Sequence, residues 1–65
     1  MTVEQAIVTA IAFEARVRDV YVAAAAAATD AAARRVLEVL GREEQGHLDY
    51  LESRQAEWAK TGRVT

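Results

Sequence analysis

Apolar and polar positions along this chain fall into two stretches of helical period separated by a break in phase. From Thr2 to Ala28, the residues Val3, Ile7, Ala10, Glu14, Val17, Tyr21, Ala24 and Ala28 recur in steps of four and three. That is the spacing of one helix face packed in a bundle. Ile11 and Val20 widen the stripe, while Glu4, Arg16, Arg18 and Asp19 sit largely off it. From about Asp30 to about Lys60, a second stripe reads Ala33, Leu37, Leu40, Glu44, His47, Leu51, Arg54 and Trp58, widened by Val36 and Leu48. Extending the first stripe instead lands on Ala31, Arg35, Glu38, Arg42, Gln45, Asp49 and Glu52. One continuous helix would therefore exchange an apolar face for a charged one halfway along. A turn at Thr29-Asp30 resets the phase, and either residue can cap the helix that follows. The pattern predicts an all-α, antiparallel two-helix hairpin in one domain. Its parts are a helix over about 2–28, a turn at about 29–30, a helix over about 31–60 and a short tail.

Local chemistry agrees with the two helices. Thr2 followed by Gln5 has the form of a capping box. Asp30 with Arg34 and Glu38 with Arg42 stand at helical neighbour spacing, each pair worth a few tenths of a kcal/mol. The run Ala23–Ala28 has high helix propensity, and its small side chains let two helices approach closely near the turn. Gly41 and Gly46 each cost roughly 1 kcal/mol relative to alanine. Gly46 directly precedes His47, so it marks either a close approach of another backbone or ligand, or a tolerated cost.

Folding the hairpin at Thr29 puts three polar residues of the stripes together. Glu14 lies fifteen residues before the turn and Glu44 fifteen after it. At the helical rise both stand roughly 22 Å from the turn, with His47 about one turn further along. The same count pairs Tyr21 with Leu37, and Glu4 with Arg54 as an ion pair. It leaves Trp58 beyond the start of the first helix, to cover the bundle end or to pack on another subunit. Taken singly, His47 reads as a boundary histidine, Glu14 as a glutamate reaching the open side, and Glu44 as a surface residue. Together they are harder to place. A buried carboxylate protonates or finds a cation. Arg16, Arg18 and Arg42 fall on outward faces, whereas a divalent cation satisfies two carboxylates and an imidazole at once. Glu43 lies off the stripe by about a third of a turn, in an outer-shell or solvent-facing position.

Composition narrows the classes further. The 65 residues include no cysteine and no proline, one histidine and a net charge of −2. Disulfides, thiolate metal sites and cysteine nucleophiles are excluded. So small a core needs a metal or another subunit. Charges of both signs are interleaved, with neither a nucleic-acid footprint nor a membrane-binding basic patch. No uncharged run approaches the roughly 20 residues of a membrane span. The opening Met1-Thr2-Val3-Glu4 lacks the basic region of a secretory signal, so a cytoplasmic location is the default expectation.

Glu14, Glu44 and His47 make half of a two-metal site. Two hairpins related by a two-fold axis would supply four carboxylates and two imidazoles, the ligand set of four-helix di-iron and di-manganese carboxylate proteins. Pairing would also cover apolar stripes that one hairpin cannot bury. The pattern Ala12-Phe13-Glu14, Tyr21, Asp30, then Leu37 through Glu44-Gln45-Gly46-His47 and Leu51 resembles the rubrerythrin-like branch of the ferritin-like superfamily, over about Ala6 to about Trp58. The resemblance implies a homodimer or higher oligomer forming a ferritin-like four-helix bundle. It implies two Fe per dimer held by Glu14, Glu44 and His47, with Mn or Zn as substitutes, and Tyr21 hydrogen-bonded near a ligand carboxylate. Such a protein would oxidise Fe(II) with dioxygen or peroxide and could be held within an encapsulating shell, as its short relatives are. The second hairpin, a rubredoxin domain and the extra glutamate associated with peroxidase activity are all missing. That moves the expectation from a rubrerythrin-like peroxidase towards a ferroxidase. A metal-free dimerisation module is the remaining alternative.

Overall fold

The structure, a computed structural model, describes residues 1–64. It contains two helices, α1 (Val3–Ala27) and α2 (Ala31–Thr61), packed against each other as an antiparallel hairpin in a single layer. The bounds lie within a residue of those the pattern predicts. No strand occurs among the described residues.

The helix ends are set by side chains. The Thr2 hydroxyl accepts from Gln5 N–H at 3.1 Å, and Gln5 Oε1 accepts from Thr2 N–H at 2.8 Å, so the capping box is complete. Asp30 caps α2 by accepting from Ala33 N–H at 2.8 Å. The last turn of α1 has no basic residue of its own. Arg34 of α2 reaches back instead and donates to the Ala28 carbonyl at 2.9 Å, closing the turn from the other side. Gly62 ends α2 at φ 72°, a left-handed conformation that its missing Cβ permits, and its N–H donates to Trp58 O at 2.8 Å.

The line of contact between the helices is narrow. Ile7 and Ala25 of α1 and Leu48 of α2 are its buried side chains, with Gly41 buried beside them. Leu48 is 2 % exposed and is the most enclosed residue of the hairpin. The second stripe is thus turned from its predicted centre. Leu48 and Gly41 face α1 directly, while Leu40, Leu51 and Trp58 are half-buried at the edge and His47 lies outside it. A Cβ added at Gly41 would sit 3.5 Å from Val22 Cγ2 and 3.7 Å from Tyr21 Cβ, whereas one at Gly46 would meet nothing. The close approach of helices is at Gly41, and Gly46 stands in the open.

One further expectation is corrected. Glu4 and Arg54 form no ion pair among the described residues. The Trp58 indole, which projects back over the start of α1, takes the Glu4 carboxylate instead and by hydrogen bonding holds its pKa below the ordinary value. Arg54 is half-buried, lying 5.5 Å from the Tyr50 ring centre and donating to Val64 O at 3.3 Å.

Much apolar surface remains uncovered. A second α1 stripe, Val3, Ala6, Ala10, Phe13, Val17, Val20, Ala24 and Ala27, runs in alternating steps of three and four beside the line of contact. Phe13 and Val20 on it are more than half exposed. No helix among the described residues is long and apolar enough to cross a membrane.

Leu48→Ala should cost about 2–5 kcal/mol by opening a cavity at the most enclosed position. Gly46→Ala should stabilise by roughly 1 kcal/mol through helix propensity, since the added methyl meets no neighbour. Urea melts followed by circular dichroism distinguish the two; a neutral Leu48→Ala would contradict this assignment of the core.

Candidate metal centre

Each element contributes to one cluster at the edge of the helix contact. Glu14 sits two turns after Ile7 on the inner side of α1, and Glu44 sits one turn before Leu48 on the inner side of α2. Both carboxylates therefore start from the packed line and lean towards its rim. His47 follows Glu44 by three residues, nearly one turn, and projects beside it. Glu14, Glu44 and His47 each offer a ligand atom, all within 4.8 Å of one another. His47 Nδ1 lies 3.4 Å from Glu44 Oε2 and 4.0 Å from Glu14 Oε2.

Enclosure falls off across the three. The Glu44 side chain is 16 % exposed, Glu14 26 % and His47 60 %. The cluster is a half-open site on the rim of the hairpin, not the enclosed core site that both stripes facing inward would make. Its least solvated atom is Glu44 Oε2, which is sealed from solvent and accepts no hydrogen bond. An orphaned carboxylate oxygen is costly, and its surroundings consist of a second carboxylate and an imidazole nitrogen.

Electrostatics at the cluster follow from that crowding. The Glu14 carboxyl is raised above its ordinary value, first by hydrogen bonding to Glu44, then by partial burial and by the neighbouring negative charge. His47 opposes the shift. A proton held at Glu14 is one way to relieve two converging carboxylates, and a bound cation is the other. No guanidinium competes for the role. Arg18 donates to Gln45 Oε1 across the hairpin at 2.9 Å and to its neighbour Asp19 at 2.9 and 3.1 Å.

The donor set suits a divalent cation. Two carboxylate ligands and one imidazole fit iron, manganese or zinc, and Glu44 Oε2 is the buried acceptor that such an ion would satisfy. Glu43 is exposed and outside the group. Tyr21 is half-buried beside Gly41 and makes no hydrogen bond to either carboxylate among the described residues. The link from Arg18 through Gln45 to Asp49 is a feature the sequence reading missed. Its only advance signal was the four-residue spacing of Gln45 and Asp49.

No family model, curated protein or solved structure matches this chain.

The raised Glu14 carboxyl gives a pH dependence to the metal-free hairpin. Folding favours protonated Glu14, so its contribution is full below 4.5 and is lost as pH rises through the raised value. Glu14→Gln should remove that decline and leave the variant more stable than the parent near neutrality. Melting temperatures in chelator from about pH 4 to about pH 7 test this, and equal slopes for both proteins would count against it.

Proposed function

We propose that this chain pairs with a second copy of itself to form a ferritin-like four-helix bundle with a di-iron carboxylate site, and that it oxidises Fe(II) with dioxygen or peroxide. The observation that supports this most is the Glu14–Glu44–His47 group, with the buried and unpartnered Glu44 Oε2 among its atoms. Each chain would hold one iron through these three residues, and the pair would hold two. When bound, two Fe(II) ions supply two electrons. With two protons these take dioxygen to hydrogen peroxide, or hydrogen peroxide to water.

What the chain's own residues do follows from their placement. Glu44 offers the oxygen furthest from water, where a cation gains most from an anionic ligand. Glu14, whose carboxyl is raised by Glu44 beside it, would lose any proton it carries on becoming a ligand. His47 stands at the solvent side, with Nδ1 turned towards the carboxylates. The uncovered α1 stripe that includes Phe13 and Val20 borders the same rim, so a second copy seated there would cover apolar surface and enclose the cluster together. Oxygen and nitrogen ligands without thiolate suit iron or manganese, and zinc would fill the site without redox chemistry.

A metal-free dimerisation module is the competing reading. The specific observation in its favour is that His47 is mostly exposed, in a cluster whose Glu14 carboxyl is already raised towards its neutral form. Anaerobic Fe(II) titration separates the readings when absorbance and mass are followed together and air is then admitted. Saturation near one iron per chain, a ferric oxo band on oxidation and a dimer mass are expected, with Glu14→Ala and His47→Ala losing metal. An intact dimer that takes up no metal would leave the interaction module.

A further inference from the structure

The rim that carries the metal cluster also carries the apolar surface the hairpin leaves uncovered, and the two make opposite demands on a partner. On α1 the stripe from Val3 to Ala27 runs beside Glu14, with Phe13 and Val20 more than half exposed on it. On α2, Val36, Leu40 and His47 share one face at helical spacing, and Val36 is also more than half exposed. Area favours a second copy. The hairpin exposes 4653 Å², whereas a compact chain of its 7.1 kDa exposes roughly 4,100 Å². Two copies as compact as one chain of their joint mass would each bury roughly 1,250 Å², above the roughly 800 Å² per partner of a standard interface.

Charge opposes it. A second copy brings Glu14 and Glu44 to the rim twice, with Glu43 exposed beside each cluster. The arginine of that face, Arg54, stands two turns from His47 and is engaged by the Tyr50 ring and Val64 O. Glu44 Oε2 is already sealed from water without a hydrogen bond, and a cover on the rim would strip water from the other carboxylate oxygens as well. We propose that a divalent cation switches the self-association of this chain: without metal, the rim carboxylates hold two hairpins apart, and one cation per chain lets the apolar stripes pair. This switch rests on the pairing proposed above and is a property of its metal site. One divalent cation matches the two charges of Glu14 and Glu44 in its own chain, so the gain from covering Phe13 and Val20 is no longer offset. Metal binding and pairing then share one surface, and each must favour the other by the same factor, roughly tenfold to hundredfold.

Sedimentation equilibrium of the full chain, in chelator and then with zinc, tests this without any redox step. The parent should be monomeric in chelator at a concentration where it is dimeric with one zinc per chain, a shift of roughly tenfold or more in its dimer dissociation constant. Raising NaCl from about 25 mM to about 500 mM in chelator should strengthen pairing, because salt screens like charges. Glu14→Gln/Glu44→Gln should pair in chelator without metal, since the repulsion is gone, and zinc should add nothing. Val20→Asp, nearly two turns from Glu14, should stay monomeric in both conditions and bind zinc more weakly. Its helices should persist by circular dichroism, because Val20 is exposed in the single hairpin. Equal pairing of the parent with and without zinc would overturn the switch, as would a double glutamine variant that stays monomeric in chelator. A parent already dimeric in chelator that still takes one metal per chain would leave the di-metal reading standing, whereas one that takes up no metal would remove both.

Discussion

Two antiparallel helices touch along one line, and that limit governs the rest of this molecule. A side chain pointing at the line is enclosed, and those one position to either side are half wet. Here the line encloses Ile7, Ala25 and Leu48, while Phe13, Val20 and Val36 remain more than half exposed. At roughly 25 cal/mol per Å² of apolar surface removed from water, a seam this thin contributes little against the entropy of ordering two long helices. The caps help at the ends, and Arg34 closes α1 from across the turn, but none of these widens the seam.

The same limit explains where the carboxylates sit. Glu14 and Glu44 could not both lie at the centre of the line without each losing its water, so they lean to the rim, where His47 stands mostly in solvent. Glu44 Oε2 is the exception that the helix geometry forces, because its backbone position, one turn from Leu48, carries it under the Glu14 side chain. Their crowding raises the Glu14 carboxyl, and in the proposed function a cation would relieve it instead. The adjacent apolar stripe of α1 is the surface that a cover would seek.

Much of this was legible in the sequence, and the parts that were not share a cause. Helix period, the phase break at Thr29-Asp30 and the Thr2–Gln5 box placed both helices to within a residue. Counting from the turn brought Glu14, Glu44 and His47 together correctly, because level depends only on rise per residue. Rotation about the helix axis was less determined. On α2 the leucines at 37, 40, 48 and 51 span more than one seam, so pattern alone could not choose Leu48 over His47 for the centre. The same small rotation put the close approach at Gly41, leaving Gly46 as the tolerated cost that was one of its two readings, and turned Arg54 away from Glu4. With Arg54 engaged by Tyr50 and Val64, the Trp58 indole was the donor left beside that carboxylate. Tyr21 stayed near the helix contact, but a phenol's reach cannot be read from the position of its Cα.

Charge then distinguishes the two sides of the hairpin. On the rim side, two glutamates per chain carry the same number of charges as one divalent cation, so in the proposed pairing each half-site is balanced before the two meet. Bringing four unneutralised carboxylates together would oppose the gain from covering Phe13 and Val20, whereas two balanced halves leave that gain intact. The opposite side has no such cluster to neutralise. Its charges are of both signs along the axis, with Arg18 bound to its neighbour Asp19. A hairpin whose thin core leaves Phe13 and Val20 exposed would gain from a cover on the rim side only once the carboxylates there were neutralised.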